Sequence, residues 1–392
     1  MKRTLMVWTL LVALAGFLAA AAVPQSSAAE PGVTDTSIKI GSNMILTGSA
    51  AYWGQGSDNG ARAYFNHIND LGGIHGRKIE FINSDNEFKP VRAVAAIKKL
   101  IERDNVFLLM GMQSSVCIVA AENVFGEAGV PLLAPITTAR SLVEPPRDYL
   151  FVVFTMYRDQ AKQVIDYLAK DPRGKDLKIG AIYQDDSFGK DGLEGMVEQA
   201  GKHPGMQVVI QEPFARGAKD FSSQVLKCKQ SGVEALFLSA VTAETAMIMK
   251  EAEKLAWKPL CIVHSAAADD KLIELAGPAA EGALATTNVI IPSAEKGNPA
   301  MVEAAQIIHK YFPDQDINVP AIDGVAVAMI TVEALKRAGK DLTRANVIGA
   351  AETMKHFETG LVPPVTFGPK IRQGCTDALI YRVEGGKFIR LK

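Results

Sequence analysis

Short runs of β-branched and apolar residues alternate with amphipathic helical stretches along this chain, and the alternation starts again after Pro145-Pro146. In the first series, strands are expected over 37–46, 78–84, 106–110 and 131–134. Helices are expected over 56–70, 90–103 and 114–126, the first with Ala61, Tyr64, Phe65 and Ile68 on one face. In the second, strands over 150–154, 177–183, 206–211, 235–239 and 259–263 frame helices over 158–170, 188–202, 221–230 and 243–255. The chain then turns mostly helical (298–311, 323–338, 343–354) and closes on strands over 378–383 and 387–391. Near-continuous apolar strands separated by helices imply parallel sheets covered on both faces. The repetition predicts an α/β protein of two similar Rossmann-like lobes rather than one extended sheet.

The first 29 residues carry a different signal. Lys2 and Arg3 precede an apolar run from Leu5 to Val23, and Ser27-Ala28-Ala29 offers small side chains for cleavage before Glu30. This is the pattern of a cleavable secretory signal peptide, and no cysteine near the site would take a lipid anchor. Cleavage removes two of the 42 basic residues and none of the 43 acidic ones, leaving a slightly acidic body. That charge argues against nucleic acid or an anionic membrane surface as partner. With about 360 residues left, the body is larger than one typical domain.

Cys117, Cys228, Cys261 and Cys375 fit no zinc or redox spacing. An oxidising compartment would permit pairing, with Cys228 and Cys261 the first pair to consider; buried unpaired thiols are the alternative. His67, His75, His203, His264, His309 and His356 form no metal-ligand pair at helical spacing. The glycines between Gly41 and Gly48 do not make a dinucleotide fingerprint, and Met112-Gln113-Ser114-Ser115-Val116 is not a nucleophile elbow. The expectation is a protein without catalysis, cofactor or metal.

In open α/β sheets, ligands bind at the carboxyl ends of the strands. After the first strand comes the loop 47–54, with Tyr52 and Trp53 available to cover a ligand. After the third, Ser114 and Ser115 open a helix and offer hydroxyls and free amides to an anion. After the fourth, the segment from Ala134 to Ala139 adds Thr137, Thr138 and further amides. Two such loops side by side would make a carboxylate socket.

The chain resembles the periplasmic solute-binding proteins of ATP-driven branched-chain amino acid transporters, of the Leu/Ile/Val-binding type, over residues 36–392. The resemblance is carried by Ile38-Lys39-Ile40-Gly41, Thr47-Gly48, Gly60-Ala61, the run from Ile68 to Arg77, and Asp85. It continues through Gly111 to Ser115, Gly129-Val130-Pro131, Tyr183 to Gly189, Asp220-Phe221-Ser222, Glu281-Gly282 and Ala338-Gly339-Lys340. It implies two lobes joined by a three-strand hinge and closing on a small ligand. The first lobe would hold 30–152 and 289–362, the second 153–288 and 363–392. It further implies a probable monomer in the periplasm that delivers its ligand to an ABC-transporter membrane permease; a sensor signalling to a receptor is the alternative for the same fold.

By position, the resemblance makes Ser115 and Thr138 hydroxyl donors to a ligand carboxylate, Ile136 a backbone donor and Ser114 their helper. Trp53 falls at an aromatic wall in the first lobe and Phe188 at one in the second; Tyr157 is a further candidate. Two positions depart from the amino-acid binders. Val241 stands where those proteins often have a tyrosine, and Ser265 where they carry the glutamate that pairs with the ligand ammonium. A buried ammonium needs a partner, for which Glu244, Asp185 and Asp186 are the candidates. The departure favours an amine-free aromatic or aliphatic carboxylate over a branched-chain or other hydrophobic amino acid.

Overall fold

A computed structural model describes residues 30–392; the expected signal segment, 1–29, lies outside the described residues. The first sheet is built from β1 (Ser37–Met44), β2 (Lys78–Asp85), β3 (Leu108–Met110), β4 (Leu132–Leu133) and β5 (Leu150–Phe151), all parallel in the order β2-β1-β3-β4-β5. The second contains β6 (Lys178–Gln184), β7 (Gln207–Phe214), β8 (Ala235–Ser239), β9 (Leu260–Val263) and β10 (Leu284–Thr287). With β11 (Leu379–Glu384) and β12 (Lys387–Arg390) it runs β12-β11-β10-β9-β8-β6-β7, antiparallel only at its β10-β11-β12 end.

The helices are α1 (Ala51–Asp70), α2 (Pro90–Glu102), α3 (Ser115–Glu127), α4 (Tyr157–Lys170), α5 (Ser187–Ala200) and α6 (Ser222–Gln230). They continue with α7 (Thr242–Lys254), α8 (Asp270–Ala276), α9 (Pro299–Tyr311), α10 (Val319–Ala338) and α11 (Arg344–Glu352). The side chains of β3 show why both faces are covered. Leu108 and Met110 join the core shared with α1 and α10, whereas Leu109 joins Ile97 and Leu100 of α2 and Ile118, Ala121 and Phe125 of α3. The second sheet repeats this: Ile179, Ala181 and Phe237 pack on α4 and α5, while Ile182, Leu236 and Leu238 face the helices of the opposite layer.

The chain passes between the sheets after β5, after β10 and before β11, and these passages are bonded to one another. Val152 N donates to Arg372 O and Gly374 N to Val152 O, both at 2.8 Å, and Ile290 N donates to Leu361 O at 3.0 Å.

Three differences from the sequence expectation matter. The strand β10 was not anticipated; four residues, LATT, are too few to show a period. Helix α1 begins at Ala51 rather than 56, so Tyr52 and Trp53 occupy its first turn instead of a loop. Gly54 and Gly56 are packing devices: a Cβ on Gly54 would lie 1.7 Å from Ile45 O. Helix α10 begins at Val319 rather than 323, capped by Asn318 Oδ1, which accepts from Ala321 N at 3.0 Å. All four cysteines are buried free thiols. No described helix is long and apolar enough to cross a membrane.

Candidate ligand-binding site

A cavity of about 100 Å3 lies between the carboxyl ends of the parallel strands of the two sheets. All eight residues singled out from the sequence line it: Trp53, Ser114, Ser115, Ile136 and Thr138 from the first-sheet side, Phe188, Val241 and Ser265 from the second.

The first-sheet wall is built around the start of α3. Ser114 precedes the helix at φ 76° and ψ 112°, a left-handed backbone that a serine rarely adopts. Its side chain does not cap the helix. Instead Ser114 Oγ is buried without a hydrogen-bond partner among the described residues, and so is Thr138 Oγ1. The amides opening α3 have no intrahelical acceptor, as helix geometry requires. Orphan hydroxyls and amides beside a cavity are the donor set an anion needs.

Ser115 is placed differently from the expectation of a free donor. Its Oγ lies 2.6 Å from Thr137 Oγ1, which lies 3.0 Å from the Tyr157 hydroxyl. This chain of three hydroxyls runs from the first-sheet side to α4 on the second. Thr137 and Tyr157 both line the cavity. The backbone role expected of Ile136 is corrected: its N–H donates to Met112 O at 2.9 Å, continuing the register of the adjoining strands, so Ile136 contributes apolar surface only.

The opposite wall is aromatic. Phe188 stands edge-on to Tyr157 (centroids 5.0 Å apart) and to His264 (5.0 Å), and Tyr157 packs against His264 at 4.5 Å. Val241 and Ala139 join this cluster. Burial pushes the His264 pKa down to about 3 and the Tyr157 pKa up to about 12, so both are neutral over the ordinary pH range. Trp53 closes the roof: its Nε1 donates to Thr242 Oγ1 at 3.0 Å, joining α1 to α7. Beside it the Tyr52 hydroxyl donates to Asp269 Oδ1 at 2.5 Å. Arg216 Nη1 donates to Phe88 O at 2.8 Å with its guanidinium 4.0 Å from the Phe88 ring, a third bond across the cleft.

The three acids considered as substitutes at Ser265 are each engaged or displaced. Asp185 is exposed and pairs with Lys190 at 2.7 Å. Asp186 lines the cavity but caps α5, accepting from Phe188 N and Gly189 N, and its Oδ2 accepts from Arg216 Nη2 at 2.6 Å. Glu244 is buried in the first turn of α7, outside the cavity lining, and burial raises its pKa. The acid that does face the cavity is Asp323 of α10, which sequence reasoning missed. No Lys, Arg or His lines the cavity, and no group of three or more His, Cys, Asp or Glu among the described residues could hold a metal ion.

Two mostly parallel α/β sheets with a polar-and-aromatic cavity at their carboxyl edges are the architecture of a two-lobed ligand-binding fold. The chain belongs to the periplasmic binding protein family, which it matches over residues 37–387. Among curated relatives, it is 29% identical over 234 residues to Leu/Ile/Val-binding protein homolog 8 of Brucella abortus, covering 58% of this chain and 57% of the relative. It is 24% identical over 299 residues to a leucine-, isoleucine-, valine-, threonine- and alanine-binding protein of Pseudomonas aeruginosa, covering 76% and 78%. The chain thus spans little more than half the length of the Brucella relative. Its fold matches a branched-chain amino acid ABC transporter structure from Thermus thermophilus with bound valine (TM-score 0.84, 22% identity, 92% of this chain and 96% of that one). It also matches a fatty acid ABC transporter substrate-binding protein from Thermomonospora curvata (TM-score 0.82, 25% identity, 92% and 93%).

Proposed function

We propose that this protein is the periplasmic solute-binding component of an ABC importer, exported by its signal segment and capturing a small carboxylate with an apolar body. It would act as a monomer and hand its ligand to a membrane permease. The moving bodies would be residues 30–152 with 289–362 and residues 153–288 with 363–392. The single observation that carries the reading is the pair of buried, unpartnered hydroxyls, Ser114 Oγ and Thr138 Oγ1, beside the opening amides of α3 on one wall of the cavity.

The ligand favoured is an amine-free aromatic or aliphatic carboxylate. Ser265 supplies no charge where the resemblance implies an ammonium partner, and Asp186 is already committed to Arg216. The likeness to a solved protein named for fatty acid transport supports an amine-free carboxylate as the cargo. Capture is a shift of an open–closed equilibrium, limited by the ligand's preference for the closed form. Calorimetry with leucine, isoleucine, valine and amine-free acids tests it. Replacing Ser114 and Thr138 together with alanine is expected to weaken carboxylate binding by about a hundredfold, since it removes the two unpartnered hydroxyls that would make charge-assisted hydrogen bonds. Unchanged affinity in the double variant overturns the socket; tight leucine binding overturns the amine-free preference alone.

A further inference from the structure

The cavity contains one acid for which neither the socket nor the cross-cleft bonds has a use. Asp323 lies on α10 one turn beyond Val319, and both residues line the cavity. It is 5% exposed, and its carboxyl has no hydrogen-bond partner among the described residues. Its position is fixed from behind. Gly60 of α1 and Gly324 of α10 bring the two helix backbones together, and a Cβ on Gly324 would sit 2.1 Å from Ser57 O. Asp323 therefore cannot rotate away with its helix to reach solvent.

A buried carboxyl without a hydrogen bond costs free energy, and retaining one in an apolar wall calls for a partner that arrives from outside the chain. Burial raises its pKa well above the ordinary carboxylate range, and the nearby Asp269 carboxylate adds to this. No basic side chain in the lining can neutralise it. Asp186, the other acid of the lining, shows the contrast, since Arg216 and two backbone amides satisfy it.

We propose that Asp323 is a specificity-determining residue that accepts a hydrogen bond from a donor group on the ligand, a hydroxyl or an ammonium, so that the cargo is a carboxylate bearing a second polar group rather than a plain monoacid. This rests on the carboxylate reading above and not on its amine-free part. A hydroxyl is served by either protonation state of Asp323; an ammonium draws off its proton and pairs with the carboxylate.

The test titrates wild type, Asp323→Ala and Asp323→Asn with two matched series: isocaproate, hydroxyisocaproate and leucine; then hydrocinnamate, phenyllactate, the para-hydroxyphenyl isomer of phenyllactate, and phenylalanine. At least one donor-bearing member should bind wild type about tenfold or more tightly than its plain parent, the worth of one hydrogen bond to a charged or buried group. Asp323→Ala should erase that advantage, read as the ratio of donor-bearing to parent affinity within each protein. Asp323→Asn separates the two sources, keeping the advantage for a hydroxyl and losing it for an ammonium. Because the Asp323 carboxyl has no hydrogen-bond partner among the described residues, neither variant should lower the melting temperature, and a loss of stability in both would assign Asp323 a structural role instead. Plain monoacids binding as tightly as every donor-bearing member, or a preference that survives Asp323→Ala, overturns the proposal while leaving the carboxylate socket intact. Failure of every compound to bind overturns the socket and the proposal together.

Discussion

Trp53 Nε1 donates to Thr242 Oγ1 at 3.0 Å, tying the first turn of α1 to the first residue of α7 across the cleft. The hydroxyl in turn donates to Ala266 O at 3.3 Å, so one threonine connects the roof of the cavity to the loop that carries Ser265. The two walls of the cavity are therefore joined by hydrogen bonds within the protein itself.

Thr242→Val removes that connection with little change of shape. The closed form loses about 1 kcal/mol, the net worth of a neutral hydrogen bond. Ligand affinity is expected to fall about fivefold, because binding is paid out of the closed population. Titration followed by Trp fluorescence measures the affinity, and small-angle scattering of the unliganded protein reports the opening. Wild-type affinity together with an unchanged scattering profile would show that the bond does not bias closure.

The acid limb of the stability curve should carry the signature of His264. Its folded pKa is depressed to about 3 from an ordinary 6.5. The unfolded chain therefore binds a proton first as pH falls. The contribution is fully present above about pH 6.5 and is lost progressively toward pH 3, at about 1.4 kcal/mol per pH unit. Denaturant unfolding of wild type and His264→Gln between pH 7 and about 4 reads the difference directly. The gap in stability between the two proteins should shrink as the solution is acidified; a constant gap would mean that His264 takes up a proton in the fold.

Much of this molecule was legible in its sequence, and what was not has a physical cause. Strands such as Ala235–Ser239 stood out because all five residues are buried, giving an uninterrupted apolar run. The eight candidate residues line one cavity because strand ends in a parallel sheet converge on one edge, whatever the details of each loop. Ile136 was misassigned because a sequence does not reveal which amide the strand register consumes; Met112 O takes it. Ser115 was read as a free donor because its partner, Thr137, lies 22 positions away. Asp323 was missed through a boundary error. Placed at the start of a helix, it reads as an ordinary acid of the first turn; four residues further in, on the face that carries Val319, it lines the cavity.

The same helix carries the last expectation. Gly324 packs where α10 crosses α1, and an added methyl would meet Ser57 O at 2.1 Å and Ala61 N at 2.8 Å. Neither atom can yield, since both belong to helix backbone. Gly324→Ala should therefore force α10 away from α1 and lower stability by about 3 kcal/mol, against the small gain that an alanine brings at an uncrowded helical site. Gly349, in α11 and with nothing within 4 Å of the added atom, is the internal control. There the same substitution should be neutral or stabilising by up to about 1 kcal/mol. Thermal unfolding of both variants distinguishes a packing requirement from a general intolerance of helical substitution. Because the α1–α10 contact also holds Asp323 against the cavity, Gly324→Ala should weaken binding of the preferred donor-bearing carboxylate more than that of its plain parent, whereas Gly349→Ala should leave both unchanged.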